Sequence, residues 1–157
     1  MANRTVWLRQ STDWGESWMP PVRQPHLGAQ DLGQFIYDPR SDTVFAMDPP
    51  PRYHGRCHPS PSCAHPFSCM SKSTNDGATW SHPEPAGCLG NSTGSTGEGN
   101  GGIVLSTGAV LSPAGRGKSG GAYLIISTDA GHSWQPGKST PTLPSKQGWG
   151  EAMIAEL

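Results

Sequence analysis

The chain has 157 residues, with 11 basic and 12 acidic side chains, a formal net charge of −1, and 21 glycines and 16 prolines. That length suffices for one modest domain with a real core, and the charge balance gives no electrostatic case for nucleic acid or an anionic membrane surface. No run approaches the ~20 consecutive apolar residues of a membrane span, and the opening MANRTVWLRQ lacks the apolar stretch of a signal peptide.

In chain order the first element is TVWLRQ (5–10), a strand-like run followed by STDWGESW (11–18) and the proline-interrupted MPPVRQP. QFIYD (34–38) and TVFAM (43–47) then read as two strands joined by the turn residues PRS. Residues 48–68 are dense in proline, and their composition also fits disorder. SCMSK (68–72) is the next strand, and STNDGATW (73–80) and SHPEPAG follow it. After a second irregular stretch, 88–101, come GGIVL (101–105), the turn STG, AVLSP (109–113) and AYLII (122–126). STDAGHSW (127–134), QPGKSTP and a last strand-like run, EAMIAEL (151–157), complete the order. No window keeps an i, i+3, i+4, i+7 apolar stripe for three turns, so helix is not expected.

The three octapeptides start 62 and 54 residues apart, too unevenly for a tight solenoid. Each follows a strand and precedes a segment whose prolines suit an edge. The interval therefore reads as three strands, a box turn and an edge strand, the four-stranded antiparallel meander of a β-propeller blade. The expected fold is all-β and a partial propeller. It holds the end of one blade (4–25), two blades (32–87 and 101–137) and the first strand of another (151–157).

Each box residue has a local task. The carboxylate or amide of Asp13, Asn75 and Asp129 can accept the turn's backbone N–H groups. In the second copy, Asp76 stands beside Asn75 to share that task. Gly15, Gly77 and Gly131 can take positive φ, and Trp18, Trp80 and Trp134 bring apolar area to cover the turn. Ser11, Ser73 and Ser127 open the three copies. A catalytic constellation is needed once, whereas three corresponding turns call for a structural role.

Three such copies resemble the Asp-box repeat of sialidases and related six-bladed propellers. The resemblance extends to VWLRQSTDWGESW, to GGIVLSTGAVLSP, to YLIISTDAGHSWQPG and to GWGEAMIAEL, in family order over nearly all of the chain. It implies an exo-α-sialidase that removes terminal sialic acids, using an arginine triad, an aspartic acid/base and a tyrosine activated by a glutamate. A tyrosine nucleophile departs from the usual carboxylate pair; a neutral phenol meets an anionic sugar with less repulsion, and the glutamate can take its proton. Glu151 falls where the family keeps that glutamate. Arg9 matches an arginine near the first box and is a weaker candidate for substrate binding, with Gln10 where many bacterial members carry a second arginine. Glu156 reads as an ordinary pleat residue, and Tyr37, Tyr53 and Tyr123 lie in the wrong blades for the nucleophile. The triad and the nucleophile are not matched in this chain. Sialosides are therefore not expected to be hydrolysed by it alone.

The 48–68 segment carries His54, His58 and His65 with Cys57 and Cys63; Cys69 and Cys88 follow. No C-x-x-C occurs, so two disulfides among the four cysteines are expected rather than zinc, with all three pairings open. Asn3 and Asn91 begin glycosylation triplets, which agrees with a secretory, lysosomal or extracellular setting. GEGNGG (97–102) precedes a strand without a following Lys-Ser/Thr, so it reads as a blade connection rather than a phosphate loop. No cofactor or metal is implied, and the implied partners are sialylated glycans. The alternative function is a non-catalytic Asp-box propeller that binds glycans or proteins. A slice of propeller would also expose unpaired blade faces and tend to self-associate.

Overall fold

The computed structural model describes residues 6–25, 27, 34–48, 66–88, 95–96, 101–115, 122–138 and 154–156. Among them there is no helix, and hence none long and apolar enough to cross a membrane. The fold is all-β and its sheets are antiparallel.

Three sheets follow one another along the chain. The first pairs β1 (Val6–Leu8) with β2 (Val22–Gln24). The second is a meander of β3 (Gln34–Asp38), β4 (Thr43–Asp48), β5 (Pro66–Ser73) and β6 (Glu84–Cys88), each paired with its neighbour in sequence. The third contains β7 (Ser95–Thr96), β8 (Ile103–Val104), β9 (Val110–Gly115), β10 (Ala122–Ser127) and β11 (Gln135–Pro136). There β7 and β8 lie end to end on the same edge of β9, so the sheet is four strands wide.

Residue chemistry accounts for the second sheet. Along β3, Gln34, Ile36 and Asp38 are buried while Phe35 and Tyr37 are exposed, the period of two that a pleated strand imposes. In β4 the run is apolar on both faces because both are covered. Phe45 and Met47 pack toward the third sheet, and Val44 and Ala46 toward the first. The β3–β4 hairpin closes on Asp38, whose carboxylate accepts the Arg40 backbone N–H at 3.0 Å and the Ser41 hydroxyl at 2.9 Å. Tyr37 donates its hydroxyl to Asp42 at 3.0 Å across the same hairpin, and this bond, with the Asp42 charge, pushes the phenol's pKa up. Pro85 in β6 and Pro136 in β11 lie in edge strands, where a missing ladder donor costs little.

Two cores bind the sheets face to face. Leu27, Ala46 and Trp80, with Val6, Leu8 and Val44, join the first sheet to the second. Ile36, Phe45, Met47, Met70, Ala86, Val110, Ile125 and Trp134 join the second to the third. One polar link crosses this second interface: Gln34 donates to the Pro113 carbonyl at 3.0 Å and accepts from the Ser112 hydroxyl at 2.8 Å. Both ends of the amide are thereby satisfied where water is excluded.

The third sheet departs from the sequence reading in its inner strand. GGIVL shrinks to Ile103–Val104, and a further pairing, Ser95–Thr96, appears inside the stretch taken as irregular. Close approach explains the shortening. A Cβ on Gly102 would stand 2.3 Å from Ile36 Cδ1 and 2.4 Å from the Leu111 carbonyl oxygen, so the chain passes between two sheets where a ladder has no room. The first strand is likewise shorter than TVWLRQ, ending at Leu8. Residues 154–156 of EAMIAEL are described and belong to no strand.

Candidate functional site

The three boxes fold alike. Ser11 donates its hydroxyl to Asp13 Oδ1 at 2.7 Å and accepts the Gly15 N–H at 2.8 Å. Ser73 does the same with Asn75 Oδ1 at 3.0 Å and Gly77 at 2.9 Å, and Ser127 with Asp129 Oδ1 and Gly131, both at 2.8 Å. The acceptor side chain then reaches across the turn. Asp13 takes the Ser17 N–H at 2.9 Å, Asn75 the Thr79 N–H at 2.9 Å, and Asp129 the Ser133 N–H at 2.8 Å. The hydroxyls of Ser17 and Ser133 donate to the second carboxylate oxygen. In the middle box the polarity reverses, and the Asn75 amide donates to Thr79 Oγ1 at 2.9 Å.

Each turn holds two consecutive residues at positive φ. The glycines have φ of 90, 80 and 78° at Gly15, Gly77 and Gly131, and the residues before them, Trp14, Asp76 and Ala130, have 59, 55 and 54°. This is the backbone sign pattern of a type I′ turn. The motif announced the glycine but gave no sign of its left-handed neighbour. It also passed over the Ser/Thr before the tryptophan as a hydrogen-bond partner.

These bonds decide what the carboxylates can do. Donation from the Ser17 hydroxyl and N–H and the Ser11 hydroxyl holds Asp13 at about 2. The equivalent bonds from Ser133 and Ser127 hold Asp129 well below the usual carboxylate range. Both stay ionised near neutrality with their oxygens occupied, so neither carries a proton to give. Because the folded state keeps Asp13 below the ~3.9 of an unfolded chain, its contribution to stability is complete above that value and fades as pH falls toward 2. The Ser17 and Ser133 amide resonances are therefore expected to shift in acid, whereas Thr79, bonded to the non-titrating Asn75, stays put; parallel titration of Thr79 would contradict this. In the same turns Ser127→Ala removes a buried hydroxyl that serves Asp129 and Gly131, and about 1–3 kcal/mol is expected to be lost in denaturant titration.

The tryptophans differ. Trp80 is 7% exposed and donates Nε1 to the Gly77 carbonyl at 3.0 Å. Trp134 is 9% exposed, edge-on to Phe45 with ring centroids 6.3 Å apart, and its buried Nε1 has no hydrogen-bond partner. Trp18 remains 58% exposed.

Strand register puts the boxes, the β3–β4 hairpin and the β8–β9 turn at one end of the sheets. The 49–65 connection joins strands at the other end. Arg9 follows β1 at the box end and is exposed, which sets it apart from any site built at the opposite end. Gln10 beside it donates to the Asp76 carbonyl, tying the first box to the second. Glu156 is no mere pleat residue. Its carboxylate accepts the Ser106 N–H at 2.9 and 3.1 Å and the Ser106 hydroxyl at 2.7 Å, and these bonds lower its pKa.

Glu151, Cys57, Cys63, Tyr53, His54, His58, His65, Asn3, Asn91 and the GEGN of 97–100 lie outside the described residues, as does the bulk of the 48–68 segment. Cys69, buried in β5, is in a disulfide, and Cys88 ends β6. Among the described residues no group of three or more His, Cys, Asp or Glu side chains is placed to hold a metal. Compared with protein-family models and with curated proteins, the chain matches none.

Proposed function

We propose that this chain is part of an Asp-box β-propeller of the sialidase kind, which contributes blades and one catalytic carboxylate, Glu151, to an exo-α-sialidase site. One observation carries the reading. In the second and third sheets the box joins the last two strands of an antiparallel sheet four strands wide, in the first it joins the two strands of a hairpin, and consecutive sheets stack face to face, as successive propeller blades do. The boxes then act as structural clamps, and chemistry belongs at the opposite end, where the long connections join the strands. Glu156, bound at the box end, agrees with a final segment that runs toward the boxes, as the first strand of a blade does.

In this reading Glu151 takes the proton of a tyrosine nucleophile supplied from elsewhere in the propeller, while three arginines hold the substrate carboxylate. Neither the tyrosine nor the triad is matched here. The purified chain is accordingly expected to release no sialic acid from a fluorogenic sialoside, and measurable release would overturn that expectation. The reading frame on either side of the chain tests the family reading. An upstream Arg-Ile-Pro-like strand with an acid/base aspartate, and downstream arginines with a tyrosine, support the hydrolase. An intact frame without them favours the second reading, a propeller that binds glycans or proteins without cleaving them.

A further inference from the structure

Cys69 lies in β5, an interior strand of the second sheet, where it is 1% exposed and held in a disulfide. The chain has three other cysteines, Cys57, Cys63 and Cys88, and composition leaves each of them open as the partner. Strand register removes one.

Cys69 stands opposite Pro85 in the β5–β6 ladder, and Cys88 stands opposite Pro66, three positions further from the boxes. At ~3.3 Å per residue that offset is about 10 Å along the strands, whereas a disulfide needs Cα atoms within ~7 Å. Parity gives the same answer. Successive residues of a strand alternate between the two faces of a sheet. Pro66 and Cys69 are an odd number of positions apart, so the ladder positions of Cys69 and Cys88 belong to opposite faces. Cys69 shares its face with Ser71, the partner of Ala46, which packs toward the first sheet. The Cys88 position shares its face with Ala86, in the core toward the third. A bridge between the two would have to pass through the sheet.

What remains is the connection between β4 and β5. Asp48, the last residue of β4, is paired with Cys69, so the connection leaves the sheet beside that cysteine. Cys57 and Cys63 both belong to this connection.

We propose that Cys69 is bridged to Cys57 or Cys63, so that a disulfide ties the 49–65 connection to an interior strand of the second sheet. Its formation takes two protons and two electrons from two thiols and passes them to a disulfide oxidant, which is reduced to its dithiol. The chain therefore matures in an oxidising compartment, where such bonds persist. Burial of Cys69 shields the bond in the folded protein, which makes it a fixed strap rather than a redox switch. The pairing rests on the ladder of the second sheet and is independent of the glycosidase reading.

Peptide mapping of the full chain, made in an oxidising host, tests it. Free thiols are blocked with N-ethylmaleimide in denaturant, which stops disulfide exchange, and the protein is digested without reduction by trypsin and chymotrypsin together. Cleavage after Phe67 parts Cys57 and Cys63 from Cys69, and cleavage after Lys72 and Trp80 parts Cys69 from Cys88. The expected product is a cross-linked pair that joins the Cys69 peptide to one carrying Cys57 or Cys63 and falls apart on reduction. A pair joining Cys69 to Cys88, or a maleimide on Cys69, would overturn the proposal. Cys88→Ser supplies a second reading. Cys69 keeps its partner in that variant and is expected to take up no maleimide in denaturant, as in the wild type; labelling of Cys69 there would equally sink the pairing.

Discussion

Replacing Phe45 with alanine is expected to destabilise the fold by about 3–5 kcal/mol, the range for deleting a buried aromatic ring. Phe45 is fully buried, stands edge-on to Trp134 and carries the Lys72 ammonium 5.9 Å above its ring. It is also the residue on which the second and third sheets meet, so the cavity opens at an interface and not within one layer. The cavity walls are mainly the side chains of residues such as Ile36, Met47, Val110 and Ile125, with the Trp134 Nε1 donor and the Lys72 ammonium as polar neighbours. Denaturant titration is the measurement: the midpoint falls while the slope with denaturant stays that of the wild type. A loss below ~1 kcal/mol would show that the two sheets are joined mainly by other contacts.

The second large effect belongs to Gly131. At φ 78° any other residue is strained, and a Cβ there would stand 2.4 Å from Phe45 Cε1 and 2.9 Å from Cζ. The ring is buried and cannot swing aside. Gly131→Ala is therefore expected to cost about 2–4 kcal/mol, combining left-handed strain with overpacking. Gly15→Ala has the same strain at φ 90° but meets only Trp18 at 3.8 Å, an ordinary contact. It is expected to cost about 1 kcal/mol. The two large substitutions are coupled. In the presence of Phe45→Ala, the new methyl of Gly131→Ala finds room where the ring was, so the double variant should lose less than the sum of the singles. Additive losses would place the Gly131 effect in the backbone alone.

Much of the fold was legible because local pattern and tertiary burial agree. QFIYD alternates, and β3 occupies that run with the buried and exposed positions in strict alternation. TVFAM has no alternation because both of its faces are covered, a reason that only the stacked sheets supply. Other features depend on contacts between residues far apart in sequence. Gln34 meets Ser112 and Pro113 across an interface, and Glu156 reaches Ser106 fifty positions back. No local pattern encodes either pairing. Burial of the box tryptophans was equally out of reach: STDWGESW and STDAGHSW present the same residue types, yet Trp18 is exposed and Trp134 buried, because the difference lies in whether a sheet covers them. Of the candidate site, only the box residues and Arg9 could be placed, and the boxes turned out richer in bonds than the motif suggests. Their extra acceptor, the Thr79 hydroxyl, and their extra donors, the Ser17 and Ser133 hydroxyls, look like ordinary surface positions in the sequence.

The meander also has a kinetic side. Throughout the second sheet each strand pairs with its neighbour in the chain, and the box that joins β5 to β6 closes by bonds spanning four residues or fewer. Short closures lose little chain entropy, so such hairpins can form before distant parts of the chain have met. The seventeen-residue connection between β4 and β5 is the long closure in that sheet. Pairing across it brings together two hairpins, β3–β4 and β5–β6, that have each already turned on themselves. In this chain the boxes are then hinge points of assembly as well as of the finished structure, and the slow contact to form in the second sheet is the one across the long connection.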